Sequence, residues 1–477
     1  MQSTRQYHIV GDEPLHRLRN PDKDRVLWID SVCIFQADVA ERNQQVAKMH
    51  KIYSNGVRNL IWLGPDDGTV ISALESIRAL NEDMRAETDN FTTLTQWLYH
   101  KQAVLPSYTA AYESLNDYVV NAALLANFCD PDFGWFKKAS TSTRPQGVLF
   151  ALLDNLARFE TRNPRDRIFG LLGLYQHLAA PPQPEPLLRI DYEKSTIDVF
   201  RDATMHSINE MGRLDPLSWV QHRVTTYGML LHPTWVPSWH RKWDGKLDAS
   251  LLSTFFNASL DHPIDIRTAK DPSKLRLTGL LVDGQGASVV DDLTDVCLDS
   301  GALPQFFNQA FSLWENLTDN ETPDTASLAM TLIAGRDSRN QAATSEILDG
   351  FRDFQRRLQT SPRPPRRRRS LTQHPITLPR HQHTPVCRYR EACWNACHRR
   401  RFFTTRGGRF GIGPQVMQTG DVVVVLYGGQ WPFVLRPVDG STAYELVGQC
   451  YVHDVMFGEA MERHKAKGGE DVVFDIL

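Results

Sequence analysis

Long apolar runs are missing from this 477-residue chain. Its densest apolar stretches, Val422–Leu426 and Leu149–Leu153, fall far short of the ~20 residues a membrane span needs. No apolar core follows the start, where residues 1–25 are polar and mixed in charge, so no secretory leader is visible. Cysteine is scarce: seven residues, an odd count scattered along the chain, fit reduced thiols better than a disulfide framework. Neither sign of charge dominates, since 53 Lys+Arg against 56 Asp+Glu leave a net −3, which argues against a dedicated nucleic-acid binder. A Walker A loop, an H-E-x-x-H helix and a G-x-S-x-G elbow are all absent. Gly284-Gln-Gly286 begins a dinucleotide fingerprint, but Val289 stands where its third Gly belongs. Common nucleotide-hydrolase, metalloprotease and serine-hydrolase classes lose their support. No repeat of fixed period is found. The chain reads as intracellular and cytoplasmic, with Arg366–Arg369 as a candidate nuclear address.

What is present is ordered along the chain. Val26–Asp30 and Arg58–Leu63 are short apolar runs of the kind a buried strand makes. Between them Asp38 and Glu41 form a capping box, followed by Val39, Val46, Met49 and Tyr53 at helical spacing. Val70–Met84 continues with a second helical stripe. Strand, helix, strand, helix with short links predicts an α/β head built on a parallel β–α–β unit. Leu94–Leu125, Val148–Phe159, Asn163–Leu174 and Thr196–Met211 read as helices, the third opened by Asn163, Pro164 and Asp166. Leu275–Val290 alternates like a β-ribbon. Helical patterns follow within Leu303–Leu317, Pro323–Gly335 and Ala342–Leu358. Arg399–Gly413, Asp421–Tyr427, Pro432–Val438 and Tyr444–Val455 read as strands joined by turns. Five regions result: an α/β core over 1–90, a helical completion over 91–232, and a connector with ribbon and helices over 233–355. A basic Pro/Arg/His-rich disordered loop over 356–398 and a β-rich module over 399–477 complete the chain.

Leu27-Trp-Ile-Asp-Ser-Val-Cys-Ile-Phe-Gln36, then Glu41-Arg42-Asn43-Gln44-Gln45-Val46, Met49, Ile52-Tyr53 and Ile61-Trp-Leu-Gly64, resemble the core of the fungal heterokaryon-incompatibility (HET) domain in order and spacing. Asn163–Leu174 resembles the D-P-R-D-x-x-x-x-L-L-G-L helix that follows it. Gly420-Asp421, Pro432–Arg436, Leu446–Gly448, Tyr451–Met456 and Gly458-Glu459 resemble the family's C-terminal β module. On that resemblance Trp28, Gln45, Tyr53, Trp62, Gly64, Arg165, Asp166 and Gly173 are structural motif positions of the head, and Arg436, Gly448, Tyr451, Gly458 and Glu459 those of the tail. The family's opening S-Y-x-W-G strand has no counterpart before Leu27. Its W-F-x-R-x-W-x-x-Q-E element is reduced to Trp135-Phe136-Lys137-Lys138. The head therefore reads as truncated or degenerate at its front.

The resemblance implies nonself recognition and programmed cell death signalling through a protein partner or self-association. It also implies a TIR-like, flavodoxin-like fold for the head, and with it the alternative of an NAD- or nucleotide-cleaving enzyme. A degenerate paralogue without trigger activity is the third reading. No resident cofactor is implied; NAD enters only as a substrate.

Asp30, Cys33 and Gln36 follow the C-terminal end of the first expected strand, where open α/β sheets place ligands. With Arg42 they are the ligand-binding candidates, and Asp30 and Glu41 the catalytic pair for glycosidic cleavage. The competing reading gives Asp30, Gln36 and Glu41 to backbone capping and makes Cys33 a small hydrophobe. Arg165 and Asp166 fit a helix-start charge and a salt bridge. His381, His383, Cys387, Cys393, Cys397 and His398 have no C-x2-C spacing, so no metal is expected. The run 363–369 would suit an anionic surface, and lacks the interleaved aromatics that base stacking needs.

Overall fold

The computed structural model describes residues 18–20, 22–24, 26–58, 147–156, 161–178, 188–222, 233–240, 256–267, 271–284, 286–298, 303–317, 324–337, 342–360 and 384–477. The chain divides into two compact units, residues 1–206 and 207–477.

In the first unit the described helices are α1 (Asp30–Cys33), α2 (Val39–Asn55), α3 (Val148–Asn155), α4 (Asp166–Leu178) and the greater part of α5 (Thr196–Met211). The Asp38 side chain accepts from Glu41 N at 3.0 Å, so α2 starts where the capping residues place it. Val148, Leu152 and Leu156 bury one stripe of α3 against Leu171, Leu174 and Tyr175 of α4. Helix α4 also packs on α2. A methyl group on Gly173 would lie 2.7 Å from His50 Cβ, so only glycine admits that approach.

The strand expected over Val26–Asp30 is not formed. Val26 is 101% exposed and Leu27 37%, and the chain turns at once into α1, with Cys33 N donating to Ile29 O at 2.7 Å. Asp30 Oδ1 accepts from Ser31 N at 2.7 Å, a local bond that favours the turn over a ladder. The second expected strand and the helices over 70–84 and 94–125 lie outside the described residues, as do Trp62 and Gly64. A parallel β–α–β unit is therefore not seen among the described residues.

The second unit opens with a 3-10 turn (Asp215–Trp219), then β1 (Ile266–Arg267), β2 (Leu275–Leu281) and β3 (Val290–Leu293). Four helices follow: α6 (Leu303–Glu315), α7 (Thr325–Leu332), α8 (Ser345–Thr360) and α9 (Pro385–Cys397). After them come β4 (Arg400–Thr405), β5 (Phe410–Pro414), β6 (Val422–Leu426), β7 (Phe433–Pro437), β8 (Ala443–Gln449), β9 (Tyr451–Val452), α10 (Glu459–Ala466) and β10 (Val472–Ile476).

One sheet runs β1-β2-β10-β8-β7-β6, and β2 pairs again with β6, so the sheet closes into a barrel. Gly279 faces Leu426 across that seam, and a Cβ there would sit 2.4 Å from Val425 O. Closure leaves β2, β10, β8, β7 and β6 each paired on both sides, with β1 added only along β2. A second sheet, β3-β4-β5-β9, carries α6 and α7. Val423, Val425, Val434 and Val447 fill one core; Phe306, Phe307, Phe351, Phe354 and Tyr389 fill the other beneath the helices.

Leu275–Val290 is not one ribbon: β2 joins the barrel and β3 the second sheet. Gly284 and Gly286 both take φ of 85°, and Ser288 Oγ accepts from Asp283 N at 3.0 Å, so the link swings the chain from one sheet to the other. The basic stretch 356–398 is not all loop. α8 runs to Thr360, and α9 buries Val386, Tyr389, Cys393 and Cys397 at helical spacing after Pro385 at its first position. Alanine and cysteine supply part of that stripe, and the arginines between them hide it in the sequence.

Burial depresses the pKa of His453, whose ring stacks on Phe410 at 5.2 Å, below its ordinary 6.5; nearby Asp454, Asp324 and Glu459 oppose this. The folded state thus favours neutral His453. Stability from this preference is full above pH 6.5 and is lost as pH falls below it through the depressed folded value. His453→Gln is expected to flatten that loss. Denaturant melts at about pH 7.5 and about pH 5.5 check it: an undiminished pH slope in the variant contradicts the assignment.

Candidate functional site

In the first unit, three segments far apart in sequence converge on one tyrosine. Helix α2 brings Arg42 and Asn43, the start of α4 brings Arg165 and Asp166, and the turn before α5 brings Tyr192. Asn43 Oδ1 accepts from Tyr192 N at 2.9 Å. The Tyr192 hydroxyl donates to Asp166 Oδ1. Arg165 donates to the carbonyl of Tyr192 and, at 2.8 Å, to that of Lys194. The Arg42 guanidinium lies over the Tyr192 ring, 3.9 Å from its centroid. Phe169 meets the same ring edge-on at 4.9 Å. Tyr192 is buried at 6% exposure, so its polar groups need these partners.

Local chemistry explains each position. Asn163 accepts from Arg165 N at 3.1 Å through its side chain, and Asp166 N donates to Asn163 O at 2.9 Å, forming a turn ahead of α4. Pro164 fixes the backbone within it. The helix therefore begins at Asp166, three residues after the expected cap, which leaves Arg165 free to turn toward Tyr192. Burial raises the Asp166 pKa; the Tyr192 hydrogen bond and Arg42 and Arg165 pull it back. The Tyr192 hydroxyl is pushed well above its ordinary 10.0, first by burial and then by Asp166. It is held as a donor, not as an ionised base.

Asp30 and Glu41, the expected catalytic pair, lie beside this cluster, and the carboxylate of each accepts from a nearby backbone amide. Glu41 Oε1 accepts from Phe35 N at 3.1 Å, and Arg42 donates to Gln36 O at 3.3 Å. Gln36 Nε2 donates to Asp30 O at 3.2 Å. Cys33, exposed, has its sulfur 3.4 Å from Ile29 N. These bonds brace the loop over 29–38. Asp30 is near enough to raise the pKa values of Asp166 and, after burial, Tyr53. Trp28 meets Tyr53 edge-on at 5.5 Å, and Gln45 is half-buried on α2. So Arg42, Arg165 and Asp166 are brought together, while Asp30, Cys33, Gln36 and Glu41 serve the adjoining loop. The tyrosine that joins them was not anticipated; its signal is a lone aromatic in the polar turn Asp191–Ser195, just ahead of a helix.

The tail positions fall in the second unit. Arg436 pairs with buried Asp421 at 2.8 Å and donates to Val416 O at 2.8 Å. Gly448 lies at the β7–β8 register shift with φ of 142°. Tyr451 packs on Phe256 at 5.9 Å, and Glu459 caps Phe457 N at 2.8 Å after Gly458. Cys397 donates to Leu332 O at 3.1 Å and is buried with Cys393 in the helical core. Among the described residues no group of three His, Cys, Asp or Glu could hold a metal, and no helix is long and apolar enough to cross a membrane.

Comparison with known proteins places two family matches on this frame. Residues 6–118 match the family described as heterokaryon incompatibility protein (HET), and residues 372–468 match the Het-6 beta-barrel domain. A stretch of 62 residues is 42% identical to heterokaryon incompatibility protein 6, OR allele, of Neurospora crassa; it covers 13% of this chain and 9% of that protein. The chain thus matches about a tenth of that relative's length. No solved structure matches.

Proposed function

Since the chain belongs to the fungal heterokaryon-incompatibility proteins, with a HET domain and a Het-6 β-barrel domain, we propose that it is a trigger in nonself recognition. On this reading it engages a protein partner or a second copy of itself and passes the signal to programmed cell death. The supporting observation is the clamp on Tyr192. It ties the E-R-N-Q-Q-V helix of the HET core to the N-P-R-D segment, through Arg42, Asn43, Arg165 and Asp166. A module that signals by association needs such a rigid join more than it needs a nucleophile. The cleavage reading gains no support from Glu41, whose carboxylate holds a backbone amide. The basic run 363–369 is proposed to contact anionic surfaces, and no resident cofactor enters the scheme.

Inducible expression of the full chain in a fungal host, scoring growth and total NAD together, tests the proposal. Growth arrest with NAD unchanged is expected. Arrest with NAD loss would instead establish the enzyme, and neither would establish a degenerate paralogue.

A further inference from the structure

Among the described residues of the second unit, two large apolar side chains stay exposed, and they are neighbours. Phe457 is 54% exposed and Leu260 43%. Leu260 lies directly on Gly458: a Cβ there would sit 2.1 Å from Leu260 Cγ. Phe457 leans on buried Phe256, with 5.6 Å between the ring centroids. Single exposed apolar residues need no explanation, but an adjacent pair on a fixed frame marks a contact surface.

That frame is held in an uncommon conformation. Leu260 and Asp261 take φ of 48° and 53°, and Asp454, three residues before Phe457, takes 63°. A bulky side chain is rare in this region, and asparagine or glycine would meet it with less strain. Asn257 fixes the turn: its carbonyl accepts from Leu260 N at 3.1 Å and its side chain from Asp261 N at 2.8 Å. Opposite, Glu459 accepts from Phe457 N at 2.8 Å, and Arg463 donates to Asp454 O at 3.1 Å. Strain of this kind gathers at contact and switch sites.

The rim is acidic. Asp454 and Glu459 carry their charge to Tyr451 and, with Asp324, to His453. Asp261 is exposed beside Leu260. Among the described residues, the nearby cations Arg409 and Arg463 lie 3.0 and 3.9 Å from Asp283, and Arg409 lies 3.5 Å from Asp454. Those two guanidiniums against Asp261, Asp283, Asp324, Asp454 and Glu459 leave the face negative. Two copies of it would bring like charges together, so charge selects a basic partner over a second copy.

We infer that Leu260 and Phe457 anchor a docking face for a basic amphipathic protein segment, one whose apolar side chains are flanked by Lys or Arg. The inference concerns the second unit alone and does not rest on the trigger activity proposed above.

The test uses the purified full chain and a fluorescent peptide of about 14 residues, Leu and Lys at helical spacing, read by anisotropy. Saturable binding that weakens with added salt is expected. Leu260→Asn with Phe457→Ser should weaken it at least about tenfold. Asp261→Asn with Asp454→Asn removes charge at two positions whose backbone suits asparagine. It should weaken binding about threefold and flatten the salt dependence. If the first variant does not fold, the second decides. No saturable binding by the wild type would overturn the inference, as when a segment of this chain covers the face. So would equal binding by either folded variant, or equal binding of a peptide with Glu in place of Lys. A wild-type dimer that Phe457→Ser dissolves would overturn it too, with a second copy as the occupant.

Discussion

Asp421→Ala lowers the melting temperature of the second unit by about 6–20 °C, from a cost of about 3–5 kcal/mol at about 2–4 °C per kcal/mol. Asp421 is 1% exposed and stands at the mouth of β6. Its two oxygens take Arg436 Nε at 2.8 Å and a terminal nitrogen at 3.1 Å, and Oδ2 also accepts from Gln418 N at 2.8 Å. Burial raises the Asp421 pKa and Arg436 opposes it, so the carboxylate relies on that partner. Removing it leaves a guanidinium in a nearly closed site, and the loss is dominated by the unpaired charge. The double change Asp421→Leu with Arg436→Leu should regain most of the stability, since two apolar groups need no partner. Thermal melts of both single variants and the double check this. A drop under about 1 kcal/mol in either single variant contradicts the account.

A fragment confined to residues 372–468, the span of the barrel-domain match, is expected not to fold, whereas residues 207–477 are expected to fold. The barrel in this chain draws two strands from outside that span. β10 runs parallel to β8 through Asp475 and Ile476 and antiparallel to β2 through Val472–Ile476. β2 then closes on β6, with Gly279, Leu280 and Leu281 facing Leu426, Val425 and Val424. Without them β6 and β8 become open edges, and the apolar faces of Leu277, Leu280 and Phe474 are lost from the core. Circular dichroism and urea melts of both fragments give the answer. A cooperative transition from residues 372–468 alone would contradict the barrel topology described here.

Much of the helical content was legible because period and caps agree. Thr196–Met211 has the predicted bounds, and Asp38 caps α2 as its sequence implies. The β-rich tail was legible as strands, but its closure was not: spacing tells where a strand lies, and nothing in Leu275–Leu281 says that its partners lie about 145 and 200 residues later. Helix α9 was hidden because Ala and Cys fill its buried stripe between arginines. At the site, Arg42, Arg165 and Asp166 stood out by family resemblance, and their shared target did not. Tyr192 reaches them through burial and a hydroxyl, neither of which leaves a pattern in sequence. Glu41 read both as a cap and as a candidate acid; its bond to Phe35 N, three residues before the expected Asp38 N, gives it a bracing role in the loop.

Under the proposed function, the Tyr192 clamp makes the HET unit competent to signal. The most direct test compares growth of a fungal host expressing the wild-type chain with one expressing Asp166→Ala at equal protein level. Growth arrest by the wild type, lost in Asp166→Ala while the melting transition of the second unit stays in place, is the predicted result. Equal arrest by the two proteins would contradict it.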